Sequence, residues 1–380
     1  MSPARRLLRG ARRVLSIARK EVMHIRRDAW TFYFALGMPV IMLVLFGYAV
    51  SFDIDHIPVV VVDQDKTPAS RELAAHLFSG DTFSRAADEE DPTAAEGAFR
   101  RGDARIAVVI PRDYGERVGR GETAEVQLLV DAADNQTAGN VLSYTGRFAV
   151  ATNERFLREA ALPSPPVIEA RTRALYNPSL KSALFLVPGL IAMIQSMMAV
   201  LLTALTVARE WERGSMEQLF ATPVSRLQIV LGKLLPYFGV ALAQLLLVLS
   251  AATWLFDVPV RGSLLLLFGI SSLFLLAMLG QGLFISVVTK NQMVATQIGA
   301  VSSLLPAMLL SGFVLPIENM PLPLQIVTRV IPAQYFVHAS RALLLRGAGA
   351  DAIAKDAGAL ALFSLVVIGA CVARFKRRIA

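Results

Sequence analysis

One cysteine, four histidines and a charged fraction of only 18% distinguish this 380-residue chain by what it lacks. The single cysteine, Cys371, has no partner for a disulfide within the chain, and no Cys/His pair has metal-ligand spacing. His24, His56, His76 and His338 are scattered, and no Ser/His/Asp set follows a recognisable motif. No phosphate-binding loop exists: Gly232-Lys233 is followed by Leu234, and position 227 is Leu where such a loop requires Gly. These absences give little support to an enzyme or to a cofactor held by this chain.

Charge is missing altogether from six long apolar runs, at 32–50, 184–207, 234–256, 264–288, 294–316 and 357–373. A bilayer core takes about 20 apolar residues in helix. Lipid satisfies no backbone polar group, and these runs are too long for barrel strands. The sequence therefore predicts an α-helical polytopic membrane protein with six transmembrane helices.

The net charge of +8 is distributed along these runs rather than gathered for nucleic acid. Residues 1–30 hold nine Lys/Arg against two Asp/Glu, whereas 51–183 hold 15 against 21. Lys/Arg excess marks the cytoplasmic side of a membrane protein, so both termini are expected in the cytoplasm. Residues 1–31 read as a cytoplasmic interfacial helix. Leu7, Ala11, Val14, Ala18, Val22 and Ile25 recur at helical spacing, with Arg9, Arg13, Lys20 and Arg27 nearly opposite. The run at 32–50 is expected to be an uncleaved first span. The acidic stretch 51–183 alternates strand and helix signals and is expected to be an inserted external α/β domain between helices 1 and 2. Strands are expected near 57–62, 105–110, 126–130 and 167–175, and helices near 70–78 and 135–162. Residues 184–380 are expected to hold spans two to six. The segment 317–356, broken by Pro316, Pro321, Pro323 and Pro332, reads as short re-entrant or interfacial helices. There Arg329, His338, Arg341 and Arg346 sit at headgroup depth or line a polar cavity.

The runs do contain uncharged polar groups. Gln195, Gln244 and Gln281 either hydrogen-bond between helices or line a path for an amphipathic substrate. Ion-driven carriers usually keep ionisable residues at membrane depth, and their absence counts against one. Uphill transport would then need energy from a partner, and loop 208–233 is the candidate receiver. Its charges are expected to lift the chain off the membrane. Gly214 permits a sharp turn, residues 215–220 suit a short helix, and Thr222-Pro223 stops it.

The run Arg209-Glu210-Trp211-Glu212-Arg213-Gly214-Ser215-Met216-Glu217-Gln218-Leu219, with Thr222-Pro223-Val224, resembles the E-R-E-x-G-T-x-E-x-L…T-P signature of ABC-2 type transporter permeases. Trp211 replaces the usual arginine and Ser215 the usual threonine. Gly232-Lys233…Pro236-Tyr237, Pro332-Ala333-Gln334-Tyr335-Phe336 with Arg341 and Gly347, and the opening at Ile57 also fit, so the resemblance covers almost the whole chain. It implies the permease half of an ATP-binding-cassette exporter, paired with a second copy or a paralogue. ATP and Mg would be bound by separate cytoplasmic ATPase subunits. These dock on the N-terminal helix and on a coupling loop comprising Glu210, Glu212, Arg213, Gly214, Glu217, Leu219, Thr222 and Pro223. A cell inner membrane location follows, with a periplasmic adaptor and an outer-membrane channel as further partners. Drugs, lipids and polysaccharides are all substrate classes of the family. Two alternatives remain: an ion-gradient-driven secondary exporter, and a membrane scaffold that binds a partner through its external domain.

Overall fold

A computed structural model describes residues 3–49, 57–80, 82–89, 97–99, 103–130, 144–146, 148–152, 182–216, 222 and 224–375. The chain divides into two compact units, one of residues 1–50 with 174–380 and one of residues 51–173.

In the smaller unit, the apolar run after His56 becomes β1 (Ile57–Asp63). It is buried nearly throughout because both of its faces are covered, the reason it reads as continuous Val/Ile rather than alternating. Pro68 opens α3 (Pro68–Leu77), capped by the Thr67 side chain, which accepts from Ser70 N at 3.3 Å. Then come β2 (Phe83–Glu89), β3 (Ile106–Ile110), α4 (Tyr114–Gly119) and β4 (Gln127–Val130). The sheet order is β2-β1-β3-β4, with β1 parallel to both neighbours and β4 antiparallel to β3. Val59 and Val61 pack with Leu73 and Tyr114 on one face, and Val60 and Val62 with Ala98 and Val109 on the other. β2 is the strand that the pattern did not announce. Its sequence is charged because it is an edge, with only Phe83 buried. Of the helix expected at 135–162, residues 144–146 and 148–152 are described and are helical. The strand expected at 167–175 lies outside the described residues.

The larger unit is helical: α1 (Pro3–Arg27), α2 (Ala29–Ala49), α5 (Ser182–Glu212), α6 (Arg226–Leu255), α7 (Leu264–Thr289), α8 (Gln292–Leu309), α9 (Leu322–Thr328), α10 (Pro332–Arg341) and α11 (Ala350–Arg374). Among the described residues five helices, α5 to α8 and α11, are long and apolar enough to cross a membrane. α2 carries a shorter apolar segment, Tyr33–Tyr48, where the sequence suggested a sixth span. α5 is the central helix: its apolar stretch is 83% buried, against 22% for α8 and for α11. The helices do not stop where charge begins. α5 continues through Arg209 to Glu212, and α6 starts at Arg226, taking Lys233 into the helix instead of the preceding loop. The Ser225–Gln228 capping box sets that start. The fifth apolar run ends as helix at Leu309, and Gly312, at φ +75°, turns the chain.

At the end of α5 away from Glu212, the proline-rich segment forms a 3₁₀ turn (Ile317–Asn319), α9, α10 and a π turn (Ala342–Arg346). Arg341 ties it down. Its guanidinium donates to the carbonyls of Gly312 (2.9 Å), Phe313 (3.2 Å) and Phe185 (3.4 Å) and lies 4.0 Å from the centre of the Phe185 ring. Burial, helped by Arg346, pushes its pKa down to about 10, which leaves it charged at neutral pH. His338 Nδ1 reaches Asp356 Oδ2 at 2.8 Å, joining α10 to α11.

Candidate functional site

The expected coupling stretch begins as the last turn of α5, not as a loop. An α-helix advances 100° per residue, so carboxylates two residues apart point to sides about 200° apart. Glu210 and Glu212 accordingly find different neighbours.

On one side, Lys233 Nζ of α6 lies 2.6 Å from Glu210 Oε2 and 2.9 Å from Glu21 Oε1 of α1. The first is an ion contact without hydrogen-bond alignment; the second is a hydrogen bond. Lys20 Nζ sits 3.1 Å from Glu210 Oε1, and the Tyr237 hydroxyl donates to Glu21 Oε2 at the long distance of 3.5 Å. Lys233 is 1% exposed and Glu21 5%. Two ammoniums and two carboxylates cancel, the condition under which buried charge is tolerated. Arg209 Nη1, 3.6 Å from Asp28 Oδ2, adds a more open pair beside them.

Gly232 makes this approach possible. A Cβ there would stand 2.7 Å from Ile17 Cβ and 3.2 Å from the Val14 carbonyl, so only glycine lets α1 lie against α6. The face that α1 buries also differs from the apolar stripe in its sequence. Ile17, Ala18, Glu21 and Ile25 are buried, while Ala11 and Val22 are exposed. The stripe rotates toward Glu21 because Lys233 receives that carboxylate. Lys20, expected on the solvent face, engages Glu210. The side chains of Leu7 and Arg9 fall outside those described.

On the other side, Glu212 Oε1 accepts from the Gln292 backbone N–H at 2.8 Å, and its Oε2 accepts from the Gln292 side-chain amide. Gln292 is the first residue of α8, so the carboxylate meets the positive end of that helix. Lys290, at φ +54°, closes α7 and places its ammonium 4.2 Å from the centre of the Trp211 ring. Lys290 and Asn291 alone link α7 to α8. The last turn of α5 therefore grips α1 and α6 with one carboxylate and the α7–α8 junction with the next.

Gly214, at φ +69°, ends the helix in the left-handed region, and open space surrounds the position a Cβ would take. The glycine is needed for conformation alone. Ser215 bonds the Glu210 carbonyl at 3.3 Å, and Met216 is fully buried. Arg213 is exposed with no acidic partner among the described residues. Thr222 is exposed and its carbonyl accepts from Val224 N at 2.8 Å. Glu217, Leu219 and Pro223 lie outside the described residues.

Within the bundle, the structure separates the three glutamines. Gln195 and Gln244 are fully buried, and among the described residues neither amide oxygen nor nitrogen of either has a hydrogen-bond partner. Ser271 Oγ likewise has no partner among the described residues. Thr203 Oγ1 donates to the Leu279 carbonyl (2.8 Å), and Ala208 N donates to Ser286 Oγ (2.8 Å), which fixes the register of α5 on α7. Gln195 and Ser271 each stand eight residues before the Thr203–Leu279 contact, hence at about the same height. Gln281 behaves differently: its amide donates to the Ser302 carbonyl (3.3 Å) and Oγ (3.2 Å) and joins α7 to α8. No group of three or more His, Cys, Asp or Glu among the described residues is arranged to hold a metal ion.

Sequence reasoning missed Glu21 and Lys233. One signal was available: each is a lone charge on an otherwise apolar stripe, and of opposite sign.

A family profile described as "ABC-2 family transporter protein" matches residues 29–372. The "Probable multidrug ABC transporter permease YbhS" of Escherichia coli (strain K12) is 34% identical over 369 residues, 97% of this chain and 98% of the relative. "Probable multidrug ABC transporter permease YbhR" of the same strain is 29% identical over 367 residues, 97% and 99% of the two chains. The "Linearmycin resistance permease protein LnrN" of Bacillus subtilis (strain 168) is 22% identical over 380 residues, 94% and 98%. The Glu210-to-Gly214 turn, the Gly232-Lys233 clamp and the Arg341 strut thus sit within a match running nearly end to end, and the chain belongs to the ABC-2 transporter family.

Proposed function

We propose that this chain is the transmembrane permease subunit of an exporter driven by a separate ATP-hydrolysing subunit. It moves an amphipathic substrate such as a drug or lipid out of the cytoplasm or the inner leaflet. In this reading α2, α5 to α8 and α11 are the six spans, both termini and the 208–233 segment are cytoplasmic, and residues 51–183 lie outside. Two copies, or one copy and a paralogue, form the conduit, with an adaptor and an outer-membrane channel as further partners. The ATPase, which holds ATP and Mg, docks on α1 and on the stretch from Glu210 to Pro223, where Arg213 offers a cation with no acidic partner among the described residues. Gln195 and Gln244 are polar groups on the substrate path, and Gln281 holds α7 to α8. The relatives' names support the drug-like substrate class.

The observation that carries this reading is the divided grip of Glu210 and Glu212. A displacement of the exposed turn at Gly214 acts on α1, α6 and α8 at once. Such a junction suits transmission of work between two states of the bundle. The experiment is substrate uptake into inverted vesicles holding the chain with its ATPase. The reading expects uptake that needs ATP and survives a protonophore. Uptake without any ATPase, abolished by the protonophore, would instead make Glu21, Lys233 and Glu210 the ionisable groups of a secondary carrier.

A further inference from the structure

The exposed circumference of α1 is partitioned in a way that the clamp does not explain. Set Ile17 at zero and wind about 100° per residue. The buried residues Ile17, Ala18, Glu21 and Ile25 span about 0–100°. Next, at about 120–160°, comes an exposed apolar row of Ala11, Leu15 and Val22. At about 180–220° follows a row of exposed arginines, Arg12, Arg19 and Arg26. Lys20, already bound to Glu210, and Arg13 and Arg27 lie further round, at about 280–320°.

The three arginines recur every seventh residue, about 10 Å apart along the axis. Among the described residues none of their guanidiniums has an acidic partner. Leu15 is 64% exposed and Val22 41%, an aliphatic row that a purely solvated helix face would not carry beside its cations. An apolar row flanked by a row of guanidiniums matches the boundary of a bilayer leaflet, acyl chains on one side and phosphates on the other. α1 also leads, through Asp28, directly into α2, so it lies where a span begins.

We propose that this face of α1 binds anionic phospholipid headgroups. Arg12, Arg19 and Arg26 pair with phosphates, and Ala11, Leu15 and Val22 rest at the acyl boundary. The proposal rests on the reading that this chain is a membrane permease with α1 at the inner leaflet, and it requires nothing of ATP coupling. Bound anionic lipid would hold α1 from the side opposite Glu21 and Lys233.

The test uses the full chain in mild detergent, titrated with a fluorescent-tailed phosphatidylglycerol. Phosphatidylcholine with the same tail is the neutral control, and inorganic phosphate is the competitor. Arg12→Gln/Arg19→Gln is compared with Arg13→Gln/Arg27→Gln, which removes the same charge from the other side of the helix. We expect tighter binding of phosphatidylglycerol than phosphatidylcholine, unaffected by millimolar phosphate. The first variant should weaken it about 30-fold, the effect of losing two cations at a leaflet surface, and the second should barely change it. Equal weakening in both variants would reduce the effect to net charge and overturn the proposal, as would competition by phosphate. Unchanged lipid binding with loss of ATPase co-purification in the first variant would reassign the face to a protein partner. Thermal unfolding of both variants checks folding. ATP-driven uptake is measured separately, so failure of the permease reading is not confused with failure of this one.

Discussion

At the residue scale, the most consequential charges are the cluster of Lys20, Glu21, Glu210 and Lys233, in which Glu21 and Lys233 are buried and Lys20 reaches in from the surface. Removing one member strands its partners. Lys233→Met leaves the buried Glu21 carboxylate without its ammonium partner and should cost about 3–5 kcal/mol, the usual penalty for breaking a buried pair. Glu21→Met combined with Lys233→Met removes both charges of one pair and should recover a good part of that loss, which denaturant unfolding in detergent would reveal. An equal loss in the double variant would mean that these side chains act by shape rather than charge. Glycine fit gives a second prediction at this scale. A Cβ at Gly189 would come within 2.0 Å of the Phe313 ring, so Gly189→Ala should destabilise the Arg341 end of the bundle. Phe313→Ala in the same chain should relieve the clash, visible as a higher unfolding temperature than Gly189→Ala alone.

At the element scale, the turn after α5 is held by backbone conformation. Gly214→Ala meets no atom, yet it must occupy φ +69°, which costs an L-residue about 1 kcal/mol. We expect a small stability loss but a clear loss of transport, because the proposed function has force enter at this exposed turn. Ser225→Ala should cost a similar amount, about 1 kcal/mol, through loss of the capping box, with transport retained. Uptake assays on the two variants at matched stability separate these outcomes. The elements themselves were largely legible in sequence wherever one window contained the cause: apolar length for α5 to α8 and α11, and Val-rich continuity for β1. They were not legible where the cause lay far along the chain. Lys233 stands just before the apolar run at 234–256 and so read as loop, because the Glu21 and Glu210 that neutralise it lie 212 and 23 residues away. The buried face of α1 was misjudged for the same reason. β2 escaped because an exposed edge strand needs only backbone pairing with β1, which leaves its side chains free to be charged.

At the scale of the whole molecule, the helical unit has two differently built ends. One is closed by Arg341 on three carbonyls and by the Phe274–Phe336 stack, whose centroids are 4.3 Å apart. The other carries the charged junction and the exposed turn. Between them lie Gln195 and Gln244, buried and with no hydrogen-bond partner for any amide atom among the described residues. The Glu-x-Glu spacing was visible in the sequence. Its meaning, opposite grips on α1 with α6 and on α8, came only with the neighbours in place. The claim that this junction carries work into the bundle is tested most directly by coupling stoichiometry. Substrate moved per ATP hydrolysed is measured in reconstituted vesicles for the parent chain, Glu210→Gln and Glu212→Gln. The account predicts ATPase binding and hydrolysis near the parent level, with transport per ATP falling about ten-fold in each variant, the size of a typical coupling free energy. An unchanged ratio in both variants, at normal folding, would contradict it.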